Sequence, residues 1–161
     1  MTDFGALFGA LAHAGVEYVL IGGVAATVHG STRLTQDVDV VYLRSPDNLT
    51  RLARALAPFH PHPRGAPPGL PFEWSRETLQ RGLNFTLTTD LGFIDLFGEI
   101  PGGGQFESLA AESESIELFG NPVLCLSLEQ LIIVKRAAGR PKDYEVVAEL
   151  EAIREERQRG R

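Results

Sequence analysis

Three aspartates and a pair of glycines carry the chemistry open to this chain. Asp37 and Asp39 stand two apart in the apolar run Asp37–Tyr42. In an extended strand such residues share a face, so both carboxylates project the same way, about 7 Å apart, while Val38 and Val40 turn toward the core. Two carboxylates on one face repel each other unless a cation lies between them. A hard divalent ion such as Mg²⁺ (or Mn²⁺) prefers carboxylate oxygens together with substrate phosphate. Asp95 is the third acid, the single charge among Phe93, Ile94, Leu96 and Phe97, where a carboxylate is costly to bury unless paired or metal-bound. Gly22-Gly23 follows the apolar run Tyr18–Ile21 and leads into small residues that read as a helix stopped by Gly30. Two glycines between strand and helix let backbone N–H groups approach a phosphate, and the helix start adds its dipole. A phosphate cradle beside metal-holding carboxylates implies chemistry on a nucleoside triphosphate.

Each piece alone has a blander reading: a tight turn, and solvated acids at a strand edge. A dinucleotide-binding unit is excluded, because its fingerprint needs G-x-G-x-x-G and an acid closing the second strand, whereas Asp37 opens that strand. No Lys-Ser/Thr pair follows the glycines, which excludes a Walker A loop. Joined in order, with thirteen residues between Gly23 and Asp37, the features resemble the nucleotidyltransferase fold of the DNA polymerase β superfamily. His29-Gly30, Arg33, Thr35 and the Asp-x-Asp resemble more closely its abortive-infection (AbiE-type), toxin-like branch. The likeness spans Tyr18 to about Leu150. It implies that Asp37, Asp39 and Asp95 hold metal and act in catalysis. It also implies that Gly22, Gly23, Arg33, Thr35 and Lys135, the last before Gly139-Arg140-Pro141-Lys142-Asp143, meet the nucleotide. Val24 departs from the serine that many superfamily members carry after the glycines, so Arg33, Thr35 or Lys135 would have to compensate.

The remaining elements must position these groups. Phe4, Leu7, Phe8 and Leu11 recur at helical spacing from Asp3 to Ala14. Ser45-Pro46-Asp47 signals another helix start, with Leu49, Leu52, Ala53 and Leu56 on its apolar side. From about residue 58 to 74 prolines crowd the chain, giving a mobile loop without regular structure. His60 and His62 lack a nearby third metal ligand, and Trp74 reads as an anchor for this flap. Leu83 to Thr89 and Gly92–Phe97 are spaced as an antiparallel hairpin, and Pro101-Gly102-Gly103-Gly104 as a turn. A short helix near Phe106 and strands at 116–119 and 123–126 follow. Ser127 caps a helix that carries Lys135 and stops at Gly139; Pro141 starts the last, which ends in a frayed tail at about 155–161. The fold class expected is α/β: one domain over residues 1–161 with a small mixed, mostly antiparallel sheet flanked by helices.

The 161 residues carry 15 Lys and Arg against 21 Asp and Glu, a formal charge of −6. That balance disfavours broad binding to nucleic acid but leaves room for a local basic patch. No apolar run approaches a membrane span, and one cysteine, Cys125, excludes an intrachain disulfide framework, so a cytoplasmic location is expected. The function expected is metal-dependent transfer of a nucleoside monophosphate from a nucleoside triphosphate to a hydroxyl. The resemblance implies RNA, such as a tRNA 3′ end, or a protein as acceptor, with a cognate antitoxin as possible partner. Two alternatives remain: a non-catalytic nucleotide- or partner-binding module, and an adenylyltransferase for a small hydroxylated compound of antibiotic type. Arg33, Arg76, Arg81, Lys135, Arg136, Arg140 and Lys142 discriminate between acceptors. Gathered around the aspartates they favour RNA; scattered, they favour a protein or small acceptor.

Overall fold

The computed structural model describes residues 1–160. In chain order the elements are α1 (Phe4–His13), β1 (Tyr18–Ile21), α2 (Gly22–Val28), β2 (Asp37–Tyr42), α3 (Pro46–Leu56), β3 (His62–Pro63) and α4 (Arg76–Arg81). They continue with β4 (Phe85–Thr89), β5 (Gly92–Phe97), α5 (Phe106–Ala110), β6 (Ser113–Leu118), β7 (Asn121–Leu126), α6 (Leu128–Ala138) and α7 (Pro141–Arg159). The strands form one sheet in the order β3-β4-β5-β2-β1-β7-β6. The β2–β5 and β1–β7 pairs are parallel and the other four antiparallel, the mixed and mostly antiparallel α/β arrangement expected from the sequence.

β1 lies inside the sheet and is buried along its whole length, which explains its uninterrupted apolar sequence. β2 alternates: Val38 and Val40 are in the core, while Asp37 and Asp39 occupy the opposite face. Leu7, Phe8 and Leu11 of α1 and Leu49, Leu52 and Leu56 of α3 supply the core on the valine side. Asn48 in α3 is fully buried and clamps the approach to β1. Its side chain accepts from the Glu17 N–H at 2.7 Å and donates to the carbonyls of Glu17 and Leu43 at 2.9 and 2.7 Å.

The structure adds α4, unforeseen from the sequence, and departs from the sequence expectations in three further places. The proline-rich stretch holds a 3₁₀ turn, Ala57–Phe59, and strand β3, which pairs with β4 through His62↔Thr88 and Pro63↔Leu87. Proline is tolerated there because β3 is an edge strand, where a missing N–H faces no partner. The chain expected to fray from about 155 continues as α7 to Arg159, tied to α6 by Arg154–Glu129 and Arg136–Glu151 ion pairs. α2 begins at the diglycine itself, with Gly22 at φ +72°. Among the described residues no helix is long and apolar enough to cross a membrane.

Candidate active site

β2 and β5 run side by side in parallel, with Asp39 opposite Asp95 in register. Alternation turns Asp37, Asp39 and Asp95 to one face, and one oxygen from each lies within 4.8 Å of the others. Three hard oxygens at that spacing suit a divalent cation better than an isolated acid pair would. Gly22 makes the approach possible: a Cβ there would stand 2.0 Å from Asp39 Oδ2. Gly23 is also tight, against Thr35, whose Oγ1 would lie 2.7 Å from an added Cβ. The Thr35 hydroxyl donates to the Asp37 carbonyl at 3.3 Å, so the first glycine seats one aspartate and the second seats the residue that braces the other.

The carboxylates strain against one another electrostatically. Burial, then the charge of Asp95 and a hydrogen bond to it, push Asp39 from 3.8 up to about 7, with Lys135 pulling the other way. Burial also raises Asp95, against the pull of Arg64 and the hydrogen bond from Asp39. Without a cation, the pair therefore keeps a proton on Asp39 around neutral pH.

The positive side of the site comes from the junction of α6 and α7. Lys135 Nζ lies 3.9 Å from Asp143 Oδ1. Arg140 grips the same carboxylate with Nε at 2.8 Å, Nη2 at 3.2 Å and its backbone N–H at 3.1 Å. Asp143 is only 1% exposed. Burial alone would raise its pKa, but the Arg140 bonds and the Lys135 charge hold it below the usual carboxylate range. The charges of both Lys135 and Arg140 act on Asp39, which puts this cluster beside the triad.

Other sequence candidates fall elsewhere. Arg33 pairs with Glu145 and Glu149 of α7 at 3.5 Å each, and Ser31 and Thr32 donate to Glu149, so the loop before β2 is strapped to α7. His29 Nε2 lies 2.8 Å from the Leu126 carbonyl, and Arg157 lies against its ring and carbonyl, a tether for the end of α2. Trp74 donates to the Ala53 carbonyl at 2.8 Å and anchors the proline-rich stretch. His60 pairs with Asp90 at 2.6 Å, and the His62 ring lies 3.1 Å from the His60 carbonyl. Arg76 and Arg81 sit in α4, beyond the Tyr42 end of β2, where Arg44 donates to the Leu79 and Gln80 carbonyls. Asp37 opens that strand, about 16 Å away along it. Arg136 is taken by Glu151.

One residue escaped the sequence reading. Arg64, just past β3, places Nη2 at 2.9 Å from Asp95 Oδ1 and Nη1 at 3.6 Å from Asp37 Oδ2. The signal available in the sequence was slight: Arg64 is the one arginine between Pro58 and Trp74.

No family model matches the sequence, and no curated protein matches it. Solved structures do. The lincosamide antibiotic adenylyltransferase LnuA, in its lincomycin-bound crystal structure, superposes with a TM-score of 0.60 at 16% identity, over 94% of this chain and 98% of that one. An antigenic nucleotidyltransferase-like protein from Paracoccidioides brasiliensis superposes with a TM-score of 0.55 at 16% identity, over 95% of this chain and 77% of that one. At this identity the likeness is one of fold, and the fold of this chain is that of the nucleotidyltransferases.

Proposed function

We propose that the chain is a metal-dependent nucleotidyltransferase that moves a nucleoside monophosphate from a nucleoside triphosphate to the hydroxyl of a small acceptor. The observation that carries this reading is the convergence of Asp37, Asp39 and Asp95 from adjacent strands, with one oxygen of each within 4.8 Å. The donor set fits Mg²⁺ or Mn²⁺: three carboxylates on a face that also presents the positive Lys135–Arg140 cluster. A divalent ion bound there would polarise the α-phosphate and favour the ionised form of the attacking hydroxyl.

The chain's own residues do the rest. Gly22 and Gly23 keep side chains out of the space beside Asp39. Lys135 and Arg140 would take up triphosphate charge next to Asp39, work that a serine at position 24 would otherwise share. Arg33 is engaged by Glu145 and Glu149 of α7 and takes no part in this reading. Thr35 fixes the backbone of Asp37. Asp95, which reaches the same point as Asp37 and Asp39 from the neighbouring strand, would accept the hydroxyl proton.

The scatter of basic residues favours a small acceptor over RNA. Of the seven candidates, Lys135 and Arg140 lie beside the triad; Arg33 and Arg136 are paired to acids of α7, Lys142 is exposed in the first turn of α7, and Arg76 and Arg81 sit past the far end of β2. An RNA backbone needs cations clustered along its path. The similarity in fold and length to LnuA, an antibiotic adenylyltransferase, points the same way. The toxin-like role, with an RNA or protein acceptor and an antitoxin partner, has no such observation behind it.

The test incubates the protein with each α-labelled nucleoside triphosphate, Mn²⁺ or Mg²⁺, and a panel of small hydroxylated compounds beside total RNA and whole-cell protein. Label in a small product, lost in Asp39→Ala, is expected. Transfer that survives Asp39→Ala would sink the assignment, and label confined to ribonuclease-sensitive material would return the acceptor to RNA.

A further inference from the structure

Arg64 is tied to the triad, yet the proposed reaction leaves it unused. Its backbone N–H donates to the Thr86 carbonyl at 2.9 Å, continuing the pairing of β3 with β4, so its side chain starts from a fixed point and reaches across β4 toward β5. There Nη2 donates to Asp95 Oδ1 at 2.9 Å and to the Leu87 carbonyl at 2.7 Å. Cζ stands 4.5 Å over the Phe93 ring, and Nη1 faces Asp37 at 3.6 Å. A planar, permanently charged fork thus bridges two of the three carboxylates.

A divalent ion that draws on Asp37, Asp39 and Asp95 together needs lone pairs this fork already engages. Guanidinium and metal therefore compete for Asp95 and Asp37. Nor is the resting position fully satisfied: Arg64 Nε is buried without a hydrogen-bond partner, a defect that buried donors in purely structural niches rarely show. Arginine cannot shed its proton to make room. It must leave as a cation, and a cation leaving a carboxylate needs another anion. The triphosphate is the anion that arrives with the metal.

We infer that Arg64 is a tethered counter-cation of the triad, which yields Asp95 and Asp37 to the divalent metal and is taken up by the triphosphate that accompanies it. The inference rests on the triad being a metal site for a nucleoside triphosphate. Its consequence is a coupling: metal alone binds weakly because it must evict Arg64, and nucleotide strengthens metal binding by giving Arg64 a new partner. By linkage the metal strengthens nucleotide binding by the same factor.

Arg64→Gln separates the two effects, which a merely structural role would not move in opposite directions. Titration calorimetry with Mn²⁺ measures binding with no nucleotide, then with a saturating non-hydrolysable nucleoside triphosphate analogue. Removing a competing charge-assisted bond should tighten Mn²⁺ binding without nucleotide about tenfold. The extra Mn²⁺ affinity conferred by the analogue should shrink about tenfold in the same variant. Arg64→Lys keeps the charge but loses the fork, so it should fall between; if Arg64→Gln does not fold, tighter Mn²⁺ binding by Arg64→Lys carries the test. Mn²⁺ binding without nucleotide that is unchanged or weaker in these variants overturns the inference while leaving the metal site standing. Failure of the wild-type chain to bind Mn²⁺ under either condition overturns both.

Discussion

Replacing Asp39 by asparagine should stabilise the metal-free protein, and by an amount that depends on pH in a defined direction. The carboxyl of Asp39 is raised from 3.8 to about 7 by burial and by Asp95. Between those values the folded chain holds a proton that the unfolded chain has released, so stability falls as pH rises through the window and the penalty is complete above it. Three pKa units correspond to about 4 kcal/mol, of which about 3 kcal/mol develops between pH 4.5 and 8. Asparagine keeps the shape, fits against Gly22 and can donate an amide N–H to Asp95 in place of the carboxyl proton. Its advantage over the wild type should therefore be small at pH 4.5 and grow by about 3 kcal/mol at pH 8, a rise of roughly 6–12 °C in the Tm difference for a chain of this length. Thermal and urea unfolding in chelator, at half-unit pH steps, measure it. A difference between the two proteins that stays flat from pH 4.5 to 8 would refute the electrostatic account of the triad. So would an asparagine variant less stable than wild type at pH 8.

Four further outcomes follow from the local surroundings of single residues. Gly22→Ala forces an L side chain into φ +72° and drives a Cβ to 2.0 Å from Asp39 Oδ2, so it should cost about 3 kcal/mol or more by denaturant melt; Gly9→Ala, with nothing within 4 Å in the interior of α1, should gain about 0.5–1 kcal/mol. Glu149, whose pKa is lowered chiefly by the Ser31 hydroxyl, contributes stability above its ordinary 4.5 and loses it as pH falls through the lower folded value. The deficit of Glu149→Gln should therefore be constant above pH 5 and shrink as pH falls below 4.5, and a deficit that does not change with pH would contradict the strap to α7. Trp74→Phe removes the donor to the Ala53 carbonyl and should cost about 1 kcal/mol, with earlier protease cleavage in the proline-rich stretch as the second readout.

What the sequence determines here is what a strand or a helix decides within itself. The two-residue period of β2 puts Val38 and Val40 in the core and Asp37 and Asp39 together on the other face, whatever lies beside the strand. One charge in an apolar strand marks Asp95 before any partner is known. Ser45 and Ser127 cap α3 and α6, and Gly139 ends α6 at φ +69°, all from contacts within a few residues. Neighbours were decided only by folding. That β5 rather than another strand lies parallel to β2, with Asp39 opposite Asp95, depends on packing of the whole sheet, because strand alternation fixes a face but not a partner. The pairing of β3 with β4 overrode the local signal of six prolines between residues 58 and 71, since an edge strand tolerates the missing donor, and it delivered Arg64 across β4 to Asp95 of the triad. The fate of the basic residues was equally non-local. Arg33 and Arg136 stand within a chain rich in acids, and which acid each one meets is set by where α7 packs, so the sequence could name these cations but not say whether they remain at the site.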